Sequence, residues 1–168
     1  MRVVIITVSD SSFNGERRDT SGETIRDWCA ARSYDVVAHE TVHDDTSEIV
    51  PVLARWCDSA EADLVLTTGG TGLAPRDVTP EATLAVIDRE AQGIAEYLRA
   101  RSFEKFPRAA LSRGIAGVRG SALVVNLPGS PSGVKDALAG LDPIVDHAMD
   151  VLTGRVTRHD SGERTQAG

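Results

Sequence analysis

Cysteine is scarce in this chain: Cys29 and Cys57 are the only two. Each falls on the apolar face of an expected helix, beside Trp28 and Trp56, so both read as buried free thiols rather than a disulfide or a metal pair. Positive charge is also short. With 18 Lys and Arg against 25 Asp and Glu, the net charge is −7 and the pI near 5.0, which argues against the basic surface of a general nucleic-acid binder. A phosphorylated ligand would need local cations or a divalent metal to offset that field. No apolar run approaches the ~20 residues of a membrane span, and the segment from Met1 to Val8 turns polar too soon for a signal peptide. A cytoplasmic protein without membrane or nucleic-acid partners is expected. Internal repeats and an interdomain linker are both lacking.

What is present suits one domain. A chain of 168 residues that is 41% hydrophobic buries a core without staples. The domain is expected over 1–153. From 154 to 168 the sequence is polar and aperiodic, and a disordered tail is expected.

The stretch that organises the rest is TTGGTGLAPRDVTPEAT at 67–83. The apolar, β-branched run before it, 63–68, reads as a strand buried on both faces. Gly69, Gly70 and Gly72 then permit positive φ and close backbone approach, so Gly69, Gly70, Thr71 and Gly72 form a loop able to offer N–H groups to an anion. Thr79 is a good N-cap and Pro80 a good first helical residue, which predicts a helix running toward Arg89. Between loop and helix lie Arg76, a cation suited to phosphate, and Asp77, a carboxylate suited to a metal. The loop alone fits a plain glycine turn equally well. It is not a Walker loop, since no Gly-Lys-Ser/Thr follows, and it lacks GxGxxG spacing.

Three more strands are predicted at 2–8, 35–42 and 122–127. Helices are expected after Asp19 or Ser21, after Thr46 or Ser47, from Thr79, at 94–102 beyond a break at Gly93, and at 131–139 and 142–152. Residues 103–121 read as a packed loop and short extended pieces between glycine turns. The order β-α-β-α-β-α-β implies an α/β fold: a three-layer α/β/α sandwich with a mainly parallel sheet. In such sheets ligands bind outside the carboxyl ends of the strands. Each predicted strand delivers a polar or glycine-rich loop there: Ser9-Asp10, Asp44-Asp45, the 69–77 loop, and Pro128-Gly129-Ser130. Asp44 and Asp77 arrive from different strands, an arrangement that suits Mg²⁺ held against phosphate oxygens. The plainer readings are a helix cap for Asp44 and a surface pair with Arg76 for Asp77.

One motif misleads. His39-Glu40-Thr41-Val42-His43 matches HExxH, whose zinc chemistry requires a helix. The β-branched flanks predict a strand instead, which sets the two histidines ~13 Å apart at ~3.3 Å per residue; they could not share a zinc.

VSDSS (8–12), DTSG (19–22), TTGGTGLAPRDVTPEAT (67–83), LSRGIAGVRG (111–120) and NLPGSP (126–131), in that order, resemble a known family. These are the molybdenum-cofactor biosynthesis proteins that include bacterial molybdopterin adenylyltransferase and the G domain of gephyrin. The resemblance covers about 3–152. It implies a trimeric α/β domain that binds molybdopterin and Mg-ATP and transfers AMP to the terminal phosphate of the pterin, alongside other molybdenum-cofactor enzymes. By motif position, Asp77 looks like the essential aspartate of the family and Asp44 like its second. The glycine loop would cradle phosphate. Ser112, Arg113, Pro128, Gly129 and Ser130 resemble elements lining the pterin and nucleotide pocket, and Ser9 and Asp10, placed at the same end by the strand order, are expected to join them in binding. Thr20 and Ser132 stand where relatives often carry a basic residue, and His43 where they carry proline. Two other functions share these motifs: a relative class that binds molybdopterin without adenylyl transfer, and a non-catalytic scaffold. Pyrophosphate release from ATP separates both from the transferase.

Overall fold

The computed structural model describes residues 1–155; the expectation of a disordered tail falls largely on 156–168, outside the described residues. Strands β1 (Arg2–Val8), β2 (Asp35–Val42), β3 (Leu64–Thr68) and β6 (Ala122–Leu127) are the four predicted, and they pair in parallel. Two more, β4 (Arg89–Glu90) and β5 (Ala116–Arg119), add antiparallel to β6, giving one six-stranded sheet in the order β2-β1-β3-β6-β5-β4. The sheet is thus mostly parallel with an antiparallel edge. That edge was hidden in the sequence because β4 is two residues long and β5 contains Gly117, where pairing rather than local pattern decides the strand.

The helices are α1 (Asp10–Phe13), α2 (Thr20–Ala31), α3 (Thr46–Asp58), α4 (Thr79–Leu84), α5 (Gln92–Lys105), α6 (Pro131–Leu141) and α7 (Val145–Leu152), with a 3-10 turn at Pro107–Leu111. Alternate residues of the parallel strands feed two cores. Val3, Ile5, Leu64 and Leu66 pack with Ile25 and Cys29 of α2, Leu98 of α5 and Leu138 and Leu141 of α6. Val4, Ile6, Val8 and Val65 pack on the opposite face with Ile49, Leu53 and Cys57 of α3 and Ala82 of α4. Burial on both faces explains the continuous apolar runs, at about 1.5–3 kcal/mol for each large side chain removed from water. Both cysteines are free and buried, and burial pushes each thiol up to about 11.

Several boundaries differ from expectation for local reasons. Asp45, not Thr46 or Ser47, caps α3, accepting the Ser47 amide at 2.8 Å. Helix α2 starts as expected, with Asp19 of the two candidates as its cap, accepting from Gly22 N at 2.8 Å. Val78 occupies the cap position of α4, and Thr79 lies inside the helix with its hydroxyl turned to the Gly69 carbonyl at 2.9 Å. That helix stops at Leu84, short of Arg89, because the chain turns to form β4. Gly93 does not break α5; it lies in its first turn. The Ser9-Asp10-Ser11-Ser12 cluster forms α1, with Ser9 accepting the Ser12 amide at 3.3 Å.

Candidate active site

In the order β2-β1-β3-β6 the chain moves one way from β1 to β2 and the other way to β3, so the topological switch lies between β1 and β3. Ligands of doubly wound sheets bind at that point. Val8 and Thr68 end the two strands there. Gly69, at φ +98°, follows so closely that a Cβ would strike the Val8 carbonyl; Gly70, at φ +63°, leaves no room between its Cα and the Thr79 hydroxyl. Both positions demand glycine, and the loop they make is a bare-backbone wall.

The wall is held by a buried polar network. Thr79 N donates to Gly70 O at 3.0 Å, and Thr83 Oγ1 donates to Thr79 O at 2.8 Å. Asn126 Nδ2 donates to both Thr67 Oγ1 and Thr83 Oγ1 at 2.9 Å, while its Oδ1 accepts from Ile115 N at 3.2 Å. Thr68 Oγ1 donates to Pro128 O at 2.6 Å and Ser21 Oγ to Gly129 O at 2.9 Å, joining the loops that follow β3 and β6 to α2. The motifs that contain Asn126, Thr67 and Thr83 do not mark these side chains; the available signal is polar residues near the ends of two largely apolar strands, Thr67 in β3 and Asn126 in β6, with Thr83 buried in α4.

The loops enclose a cleft of about 760 Å³ lined by Gly70, Thr71, Gly72, Asp77, Ser112, Pro128, Gly129 and Ser130, with Arg99, Lys105 and Arg108 farther along. A smaller hollow of about 210 Å³ adjoins it, lined by Ser9, Arg17, Arg18, Asp44, Gly69, Gly70 and Gly129 among others. Gly70 and Gly129 belong to both. Apart from Asp10 and Arg113, the predicted residues are gathered around one wall, with Asp44 lining the hollow and Asp77 the cleft. A Cβ built at Gly70 would lie 3.3 Å from Asp44 Oδ1, and one at Gly72 would lie 2.8 Å from Asp77 Oδ2.

Three expected ligand-binding side chains sit differently. Asp10 and Arg76 lie outside the lining of both spaces; Arg76 Nε and Nη2 donate to the Asp10 carboxylate at 2.9 Å each. Arg113 faces the loop backbone rather than the cleft: Nε donates to Gly72 O at 2.7 Å, and the other nitrogens reach Asp77 O and the Glu81 carboxylate. It braces the segment that carries Asp77. Ser130 caps α6, accepting from Gly133 N at 3.2 Å, and Ser112 accepts from Gly114 N at 3.3 Å. The sequence pattern does not single out the cleft cations: Arg99 lies on α5, which buries only Leu98 and offers little pattern to fix its facing, and Arg108 lies in the 3-10 turn within a stretch that reads as a packed loop.

Charge is arranged with some tension. Burial, with the nearby negative charges of Asp10 and Asp77, raises Asp44 above the usual carboxylate range despite the Asp10 amide hydrogen bond and the Arg76 charge. For Asp10, burial acts upward but is outweighed by hydrogen bonds from the Asp44 amide, His43 and Arg76, so it is lowered. Two carboxylates that repel across a glycine wall are a hard-oxygen donor set, and adding a cation relieves that repulsion. Among the described residues no three His, Cys, Asp or Glu side chains gather as a metal group, so the fit is to a cation that takes its remaining ligands from water and phosphate, as Mg²⁺ does.

The HExxH segment lies in and just beyond strand β2, as its β-branched flanks predict. His39 Nε2 lies 2.9 Å from Asp19 Oδ2, and His43 Nδ1 lies 3.1 Å from Asp10 Oδ1, so the two histidines serve different clusters. Glu40 accepts from Trp56 Nε1 at 2.5 Å and from Arg55.

Fold and site together define an α/β domain with a bare-backbone glycine loop at the carboxyl ends of its parallel strands, flanked by two aspartates. The chain matches, over residues 4–147, the family described as "Probable molybdopterin binding domain", and it belongs to that family. It is 35% identical over 156 residues to the molybdopterin adenylyltransferase of Helicobacter pylori (strain J99), covering 92% of this chain and 89% of that one. A solved structure of the molybdopterin biosynthesis enzyme MoaB from Thermus thermophilus superposes with a TM-score of 0.86 at 51% identity, over 91% of this chain and 96% of that chain. The molybdenum cofactor synthesis protein cinnamon of Drosophila melanogaster is 36% identical over 149 residues, 88% of this chain, which spans only 25% of that longer protein.

Proposed function

We propose that this chain is a molybdopterin adenylyltransferase, transferring AMP from ATP to the terminal phosphate of molybdopterin in the cytoplasm. The observation that carries the reading is the convergence of Asp44 and Asp77 on opposite sides of the glycine wall shared by the cleft and the hollow. The named activity of the Helicobacter pylori relative supports it over nearly the whole chain.

An oxygen of the pterin phosphate attacks the α-phosphorus of ATP; the new P–O bond forms as the bond from the α-phosphorus to the β-phosphate oxygen breaks, and pyrophosphate leaves. The nucleophile is ionised at neutral pH, so no strong general base is needed, and catalysis rests on positioning and charge. The amides of Gly70, Thr71 and Gly72 are the ones offered to the phosphates, since Gly69 N donates to Leu127 O; Arg99 and Arg108 supply positive charge along the cleft, while Lys105 is paired with Asp136 at 2.6 Å. Asp44 and Asp77 would hold Mg²⁺, which when bound offsets phosphate charge. The working unit is taken as a homotrimer, with Phe103, Phe106 and Leu111 as exposed apolar surface available for contact; sedimentation velocity tests that assembly.

Purified protein with Mg-ATP and molybdopterin is expected to release pyrophosphate, and Asp77→Asn to abolish release while retaining pterin binding. Wild-type protein that binds pterin and never consumes ATP would establish the binding-only reading instead. Turnover indifferent to Asp77→Asn would remove the metal assignment.

A further inference from the structure

Asp10 occupies the point where the two halves of the site meet. Its backbone amide donates to Asp44 Oδ2 at 2.9 Å, and its own Oδ1 accepts the Asp44 amide at 3.2 Å and faces His43 Nδ1 at 3.1 Å. The same carboxylate takes a two-pronged contact from Arg76, with both nitrogens at 2.9 Å. Arg76 precedes Asp77, whose turn is closed on itself by Ala74 N donating to Asp77 Oδ2 at 2.8 Å and Asp77 N donating to Ala74 O at 2.9 Å. A displacement of Arg76 is therefore carried to Asp77. Arg113 braces the same loop from its own side, at Gly72 O and at Asp77 O; Arg76 to Asp10 is the side-chain pair that reaches the other half of the site.

We infer that Asp10, through Arg76, is a positioning residue that fixes the separation of Asp44 and Asp77 and does not bind substrate. The chain of contacts Asp44–Asp10–Arg76–Asp77 spans the glycine wall from one carboxylate to the other. The pair is too exposed to matter much for stability, with Arg76 63% and Asp10 36% accessible. Its planar fork nevertheless sets an orientation that a single-point contact would not. Supporting groups of this kind typically govern metal affinity or turnover by about 10–100-fold without touching substrate. The kinetic consequence rests on the adenylyl-transfer reading; the geometric one does not.

The test uses Asp10→Asn, Arg76→Gln, Arg76→Lys and the Asp10→Asn/Arg76→Gln double variant. Asp10→Asn and Arg76→Gln are each expected to lower kcat for pyrophosphate release by roughly 10–100-fold, with KM for ATP and molybdopterin changed less than about threefold. The double variant should fall no further than the worse single one, because both break the same contact. Arg76→Lys, which keeps the charge and loses the fork, should recover part of kcat. Hydrogen–deuterium exchange on substrate-free protein should show the 70–77 amides exchanging at least about tenfold faster in Asp10→Asn and Arg76→Gln while β1 and β3 stay protected. A rise in KM at unchanged kcat would make Asp10 a substrate contact, and multiplying losses in the double variant would make the two residues independent; either result overturns the proposal, as does unaltered exchange. Should Asp10→Asn fail to fold, the exposed Arg76 variants carry the same test. Because exchange is read without substrate, an inactive wild type would remove the proposed function and still leave the positioning role decided.

Discussion

Asn126 donates to Thr83 Oγ1 at 2.9 Å, and that hydroxyl donates onward to the Thr79 carbonyl at 2.8 Å, so a side chain of β6 fixes the start of the helix behind the glycine wall. Asn126 is 7% exposed and Thr83 fully buried, and each polar atom in the network has a partner. Asn126→Ala would leave Thr67, Thr83 and the Ile115 amide short of one, at a cost of about 2–3 kcal/mol. Urea unfolding should show it, and the loss should exceed that of Thr83→Val, expected near ~1 kcal/mol.

Gly70→Ala places a Cβ against the Thr79 hydroxyl at a positive φ. Strain of about 1–3 kcal/mol is expected, together with a fall in turnover larger than the fall in stability, since the loop that moves is the one proposed to face phosphate. Thermal melting and pyrophosphate release, measured on the same preparation, check the two together. Wild-type turnover in that variant would show that the wall need not be glycine.

Asp19 ties α2 to β1 and β2. Burial opposes its charge, but hydrogen bonds from His39, Thr7 and Gly22 N win and lower it to about 2. The depressed value means stability that is present above the ordinary carboxylate value, near 3.8, and lost as pH falls toward 2. About 2 kcal/mol should disappear over that window, and Asp19→Asn should flatten it. Chemical unfolding at pH 4, 3 and 2 reads the difference.

Asp44 carries the opposite sign. Its raised pKa, caused first by burial and then by neighbouring Asp10 and Asp77, favours the folded protein at low pH, an effect lost as pH rises through the folded value. Asp44→Asn should therefore raise the melting temperature at pH 7 and lose that advantage in acid, while abolishing turnover. For the wild type without divalent metal, stability should fall as pH rises through the raised Asp44 value, and an Asp44→Asn profile that falls equally there would show that another group controls it.

Much of this was legible without coordinates. The parallel strands announced themselves as runs apolar on both faces, the strand–glycine–helix order located the loop, and strand topology placed the ligand end. The antiparallel edge was not, since Arg89–Glu90 and Ala116–Arg119 become strands only by pairing. Nor were the roles of the arginines. Arg76 and Arg113 each sit in a motif that suits phosphate, yet one is spent on Asp10 and the other on loop carbonyls. Sequence gives a cation's identity; its nearest acceptor depends on segments far away along the chain.

The sequence by itself determined the family, the α/β class and the glycine loop with its two aspartates, because each rests on local steric or periodic constraints that a short motif carries whole. Only the tertiary structure decided that Asp44 and Asp77 stand on opposite sides of one wall, that Asp10 and Arg76 connect them, and that Asn126 supports the helix behind. Those relations are set by which strands lie side by side, and adjacency in the sheet follows from packing over the whole chain, which no single stretch of it contains.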